Sequence, residues 1–326
     1  MKKTILRVKQ NKHLQNEFDV TYKYSGPGRN LIRYIKTEKT IRYLPIEKIF
    51  NGKTPIEDIE ISEQAFSFIK VNKLIIPEDI TLIPEFCFLS STIFYPLRLP
   101  STIETIGRYA FYEAKFDTLE ILYGVREIPE YCFFGSEIKE LKLPSSIETI
   151  NRYAFYGAKI DTLEIPEGVT EIPENCFRNS KIKSLKLTSK IGMIAKRAFN
   201  HSKIESPLYI KNIIVIGENA FEGFQGIIFT DNKESKDRFV KAGLDINKVV
   251  NLNSKEECFK ALKNKTFQEI RQLEKDFGRE IWDKNYLNTI QEGFIKNQNV
   301  PVDLKYSDMT LSDAAKLKKI MLDDSK

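Results

Sequence analysis

Apolar positions in the middle of the chain recur on a fixed beat. Phenylalanines stand at 66, 88, 111, 133, 155, 177, 199 and 221, 22 residues apart except for one interval of 23 between Phe88 and Phe111. One period reads Leu141-Lys142-Leu143-Pro144-Ser145-Ser146-Ile147-Glu148-Thr149-Ile150-Asn151-Arg152-Tyr153-Ala154-Phe155. Leu-x-Leu predicts a short strand and Pro144 its end. Ile-x-x-Ile turns apolar residues inward, and the segment around Ala154-Phe155 predicts a compact turn or short helix. Self-similarity at this period predicts a solenoid in which each coil's strand lies parallel to the next. The residue before each central phenylalanine alternates, Cys87, Ala110, Cys132, Ala154, Cys176, Ala198, so the unit is a pair of coils.

The flanks follow other patterns. Residues 1–53 alternate apolar and polar in short runs such as Phe18-Asp19-Val20-Thr21-Tyr22-Lys23-Tyr24, followed by Ser25-Gly26-Pro27-Gly28. Period-two alternation ending in a Gly-Pro-Gly turn predicts a small antiparallel β unit, with 31–35 and 40–44 as further strands, placed to cap the first coil. The repeats occupy residues 54–250. Residues 251–326 turn helical: Ser254 and Glu257 have capping-box spacing, and Trp282, Tyr286, Leu287, Ile290, Phe294 and Ile295 recur at three and four. A last helix is expected over 311–322.

The segments Leu97-Arg98-Leu99-Pro100-Ser101-Thr102-Ile103-Glu104-Thr105-Ile106-Gly107-Arg108-Tyr109-Ala110-Phe111-Tyr112 and Ile165-Pro166-Glu167-Gly168-Val169-Thr170-Glu171-Ile172-Pro173 resemble the BspA-like class of leucine-rich repeats, in register eight times over roughly residues 60–250. Ile227-Ile228-Phe229-Thr230, followed by Phe239-Val240-Lys241-Ala242, is similar to that class's usual last strand and closing helix. The resemblance implies an α/β leucine-rich-repeat solenoid and a binding module. It implies adhesion as a role, since members are mostly bacterial and protist surface proteins, and it implies no catalytic residues.

Composition sharpens this picture. The 326 residues are 41% apolar, enough to bury a sizeable core. Residues 1–53 hold 13 Lys and Arg against 4 Asp and Glu, a balance of +9, while the rest holds 38 against 41, a balance of −3. The opening MKKTILRVKQNKHLQN has the positive start of a signal peptide without its apolar stretch, and no later window has the length a membrane span needs. The expectation is a cytoplasmic protein, with signal-independent export as the other route. Cys87, Cys132 and Cys176 recur in alternate coils, which puts them roughly 10 Å apart at the usual strand spacing, beyond disulfide reach. They read as small buried apolar residues, and Cys258 as a lone cysteine in a helical pattern.

Catalytic chemistry finds little to stand on, and no cofactor motif is present. His13 and His201 are the two histidines, neither with a companion at metal-ligand spacing. Asp276-Phe277-Gly278 matches one kinase triplet without the other kinase motifs and reads as a helix end closed by glycine. Gly26-Pro27-Gly28 lacks the Gly-Lys-Ser/Thr of a phosphate loop.

Charges and rings carry the binding expectation. Outward strand positions alternate in sign, Arg98, Glu120, Lys142, Glu164, Lys186 and Asp117, Lys139, Asp161, Lys183, Glu205, as does the turn series Glu85, Arg108, Glu130, Arg152, Glu174, Lys196. Opposite neighbours attract by roughly 0.2–1 kcal/mol per pair, so these series set the coil register and leave the strand face self-neutral, unlike a nucleic-acid groove. Tyr109 with Tyr112, Tyr131 with Phe134, and Tyr153 with Tyr156 predict an exposed aromatic patch for a protein partner. In the N-terminal unit, Arg29, Arg33, Lys36, Lys39 and Arg42 interleave with Tyr34 and Tyr43, a pattern for gripping a polyanion such as RNA or DNA. The leading expectation is a non-enzymatic protein-recognition module, with nucleic-acid binding through the N-terminal unit and a surface adhesin as the alternatives.

Overall fold

The computed structural model describes residues 59–281 apart from 62, 77, 79, 212 and 279, the strand backbones at 19–24, 30–36 and 41–45, and residues 310–313. The long, central strands are Lys115–Glu120, Glu137–Lys142, Lys159–Glu164 and Lys181–Lys186. Within each, the second and fifth residues point inward, as in Phe116 and Leu119 or Ile138 and Leu141, and the others face out. These strands pair in parallel, residue for residue, in a nine-stranded sheet that runs from Ile41–Pro45 to Lys203–Ile204.

Two other walls close each coil. One consists of two-residue strands such as Glu127–Ile128 and Thr149–Ile150, whose isoleucines are buried. The other is the turn that carries the repeat phenylalanine. The eight rings stack in one column with centroids 5.1–5.3 Å apart, all of them fully buried. Each ring hides its faces against its neighbours, which is why a smaller side chain at this position would open a void through two coils. The backbones are tied the same way: the Phe133 amide donates to the Ala154 carbonyl at 2.8 Å and the Phe155 amide to the Cys176 carbonyl at 3.0 Å.

These segments are turns rather than short helices, for a backbone reason. The residues two before and two after the phenylalanine are left-handed in coil after coil, as at Tyr131 (φ 59°) and Gly135 (φ 63°) around Phe133, or Asn175 (φ 55°) and Asn179 (φ 58°) around Phe177. Two left-handed residues four apart cannot belong to a right-handed helix. They instead turn each amide toward the next coil.

Asp19–Tyr24 and Asn30–Lys36 form an antiparallel hairpin, with a register shift that leaves Arg33 as the extra residue. The expected antiparallel unit stops there. Ile59–Ile61 runs parallel to the hairpin's second strand, and Ile41–Pro45 runs parallel to Lys70–Ile75 as part of the long sheet. The register places Ile41 opposite Val71 and Leu44 opposite Leu74, two residues that the neighbouring strand buries.

At the other end, Ile228–Thr230 is not the last strand. Val249–Asn251 pairs with it in parallel, after the helix Lys233–Lys241, whose Phe239 is buried against the array. Helices Lys255–Leu262 and Phe267–Phe277 then build a second core on Phe229, Val250, Leu252, Cys258, Leu262, Phe267 and Ile270. Ser254 caps the first of these by accepting from the Glu257 amide, but the Glu257 carboxylate turns to the Asn251 amide and Lys236. The reciprocal capping box is the one between Thr266 and Glu269. The repeated spacing from Trp282 to Ile295 lies outside the described residues, and Leu311 to Asp313 are helical.

Candidate functional site

The outward face of the long sheet is built of charge columns. Lys186 pairs with Glu164 at 2.7 Å, Lys183 with Asp161 at 2.8 Å and Arg98 with Glu120 at 3.3 Å, and Lys139 bonds Asp117. Along the turns Glu130 takes both Arg108 and Arg152. A further column went unread in the sequence: Glu137 sits between Lys115 and Lys159, at 3.0 and 2.8 Å. Hydrogen bonds from Lys159 and then Lys115 hold its carboxyl below the ordinary carboxylate range. That column then breaks the rule the others keep. Lys159 lies opposite Lys181, and Lys181 opposite Lys203, with no acid between them. Lys181 has no ion pair among the described residues, whereas Lys203 turns to Glu205, just past the end of its own strand, at 3.4 Å.

The same face has one interruption near its N-terminal end. Ile93 aligns with Phe116, 23 residues on, but Leu97 aligns with Leu119, only 22 on. Three residues, Phe94-Tyr95-Pro96, therefore occupy the space of Asp117-Thr118, and the strand splits into Thr92–Ile93 and Leu97–Arg98. This is a β-bulge closed by a proline, which has no amide to give to the ladder. The Phe94 and Tyr95 amides donate to Val71 and Asn72 carbonyls at 3.1 and 2.8 Å, which fixes the backbone and turns both rings outward. Phe94 is 52% exposed and Tyr95 57%. A shallow depression of about 400 Å³ runs from Phe94 across Phe116 and Glu137 to Lys159 and Asp161. The signal for the bulge was the 23-residue interval; the interval alone did not say where in the coil the extra residue falls.

The aromatic residues on the turn side come together as two ladders. Tyr109, Tyr131 and Tyr153 stack at 4.8 Å, joined by Phe86, and Tyr112, Phe134 and Tyr156 stack at 5.0 and 4.7 Å. All six expected residues are half-buried rather than exposed, because each ring's faces are covered by the coils on either side. Edges and hydroxyls are what reach solvent. Burial first, then the neighbouring phenols, push the Tyr131 hydroxyl above the ordinary phenol value. Arg178 sits 5.9 Å over Tyr156, whose hydroxyl accepts from Asn179 at 2.8 Å, so the second ladder ends on polar partners.

The basic residues of the N-terminal region fall on two sheets. Arg33, Tyr34 and Lys36 belong to the hairpin, and Arg42 and Tyr43 to the edge strand of the long sheet; Arg29 and Lys39, like Gly26-Pro27-Gly28, lie outside the described residues. Asp276-Phe277-Gly278 closes a helix, with Gly278 left-handed at φ 63° and Phe277 stacked on Tyr209 at 5.0 Å. All four cysteines are free and buried, and burial pushes the Cys87, Cys132 and Cys176 thiols well up. No helix among the described residues is long and apolar enough to cross a membrane.

A family model described as the BspA type leucine-rich repeat region matches the chain in six copies, over residues 47–121 and 104–228, which together span more than half of its length. No curated protein matches the chain.

Proposed function

Because the chain belongs to the BspA-type leucine-rich repeat family, we propose that it is a non-enzymatic recognition module that binds another protein across the outer face of its long sheet. The observation that carries this is the bulge at Phe94-Tyr95-Pro96. A regular coil keeps its large apolar residues in the core, as the eight buried phenylalanines do. An inserted residue that turns two adjacent rings into solvent beside a depression costs burial and sheet pairing, and bulges are retained where they re-aim side chains. Exposed aromatic rings with a charged surround have the composition of an interface centre and rim.

The two ring ladders form a second contact region in this proposal. Tyr109, Tyr112, Tyr131, Phe134, Tyr153 and Tyr156 offer edges and hydroxyls over three coils, a surface suited to hydrogen bonding along a partner's rim rather than to stacking on a base. The test is capture from a lysate of the native cell on the immobilised full chain. Phe94→Ser with Tyr95→Ser is expected to remove the captured partner while leaving thermal unfolding within a few degrees, since both side chains are more than half exposed. Unchanged capture by that double variant would remove the bulge from the site.

A further inference from the structure

The lysine column and the bulge share one side of the sheet. The outward column through Thr92, Lys115, Glu137, Lys159, Lys181 and Lys203 is a straight line across six paired strands. The depression occupies its first four strands, from Phe94 to Lys159, and the like-charged run continues from there. At about 4.8 Å per strand, Lys159 lies about 14 Å from the bulge strand and Lys203 about 24 Å.

Like charges directly opposite one another on neighbouring strands destabilise a sheet. This chain avoids the arrangement in its other strand columns by alternating sign from coil to coil. A glutamate at 181 would continue the alternation of Lys115, Glu137 and Lys159 and would bridge Lys159 and Lys203 as Glu137 bridges its own neighbours. The lysine there instead leaves a repulsive run that a bound anion would relieve. We propose that this line is the binding track of an acidic polypeptide segment laid across the strands, with an apolar side chain against Phe94 and Tyr95 and carboxylates over Lys159, Lys181 and Lys203. It rests on the reading of the bulge as a protein-binding site and names the chemistry of the partner.

The surroundings favour a polypeptide over a nucleic acid. Glu137 ends the run, Asp161 shares the strand of Lys159 and Glu205 pairs with Lys203, so a long phosphate backbone would meet acids on the coils either side of Lys181. Tyr209, in the strand that follows the run, is half-buried and stacks on Phe277 at 5.0 Å, which closes one of its faces to a base. An extended segment rises about 3.3 Å per residue, so carboxylates four to seven residues from the apolar anchor would reach the column.

The experiment uses the full chain at low salt and the fluorescence anisotropy of a labelled peptide with one Phe followed by Glu at the fourth to seventh positions. The same peptide with Gln for Glu, and a single-stranded RNA of similar length, serve as comparisons. The Glu peptide is expected to bind at least fivefold more tightly than the Gln peptide, and to lose that margin with added salt. Lys181→Glu is expected to erase the margin while raising the midpoint of thermal unfolding, because it restores the alternation. Phe94→Ser with Tyr95→Ser is expected to weaken both peptides. Equal binding of the Glu and Gln peptides, or a margin that survives Lys181→Glu, overturns the acidic track while leaving the bulge site standing if the serine variant still weakens both. Loss of partner capture with no effect of the serine variant on peptide binding places the track away from the bulge and overturns the joint footprint. RNA binding that depends on Lys181 and exceeds the Glu peptide overturns the polypeptide partner.

Discussion

Tyr109 and Tyr131 stack face to face at 4.8 Å, and each does so from a left-handed backbone, at φ 57° and 59°. A non-glycine residue costs of order 1 kcal/mol in this region, and an aromatic pair returns roughly 0.5–1.5 kcal/mol beyond its buried area. The ladder therefore offsets the strain of the turn that presents it. Asn175 and Asn219 occupy the same turn position where the ladder is absent, with φ of 55°, and asparagine is the side chain that tolerates that conformation best after glycine.

Tyr131 makes the cleanest test of this balance, since it stacks on both sides. Tyr131→Asn should destabilise the array by about 1 kcal/mol, the loss of two stacks less the relieved strain. Tyr131→Val should cost about 1–2 kcal/mol more than Asn, because a β-branched side chain is poorly tolerated at positive φ. Urea unfolding of the two variants decides it, and equal losses would mean that backbone strain is not a factor here.

The bulge predicts the outcome of a deletion. Removing Tyr95 restores a 22-residue interval between the core phenylalanines at 88 and 111, and lets the strand run unbroken from Thr92 to Arg98 against Lys115–Glu120. The shortened chain should unfold at higher denaturant and capture less partner. A less stable protein would show that the extra residue fills a structural need.

Acid should loosen the charge columns in a defined direction. The Glu137 carboxyl titrates below its ordinary range in the folded chain because Lys159 and Lys115 donate to it. Its contribution is present at neutral pH and is lost as pH falls through the lowered value. With 39% of the side chain exposed, solvent screens the effect to less than about 1 kcal/mol. Glu137→Gln should flatten the acid limb of the stability profile by that amount and lower stability at pH 7. An unchanged acid limb would assign the pH dependence elsewhere.

The thiols should be silent in the native state. Cys87, Cys132 and Cys176 are buried to zero exposure beside the phenylalanine column, and burial holds them protonated at neutral pH. Maleimide labelling of the native chain should modify none of them within the time that labels all four in urea. Rapid labelling of the native chain would reveal local opening of the coils.

Much of the fold was readable because a repeat states its rule many times. Phe155 is interpretable alone only as an apolar residue; with seven equivalents at a fixed interval it becomes a position in a coil. The ladders of opposite charge were readable for the same reason, since Asp161 and Lys183 are 22 apart and so must be neighbours. The site was less readable. The rings of Tyr109 to Tyr156 were placed together correctly, but their half-burial follows from stacking direction, which spacing does not specify. Phe94 and Tyr95 break the repeat, and a residue outside the rule has no equivalents to interpret it.

The coil, its period, the identity of its buried column and the charge series through Glu120, Lys139 and Glu130 follow from the residues alone, because each is a local pattern repeated in register. Tertiary structure alone decided where the extra residue goes. Placing it in the strand rather than the turn depends on which part of the coil can lose a pairing partner without opening the core, and only the stacked neighbours settle that. The same stacking decided that the tyrosines show edges and that Lys159, Lys181 and Lys203 stand in one line with no acid between them, since both are relations between coils rather than properties of any one of them.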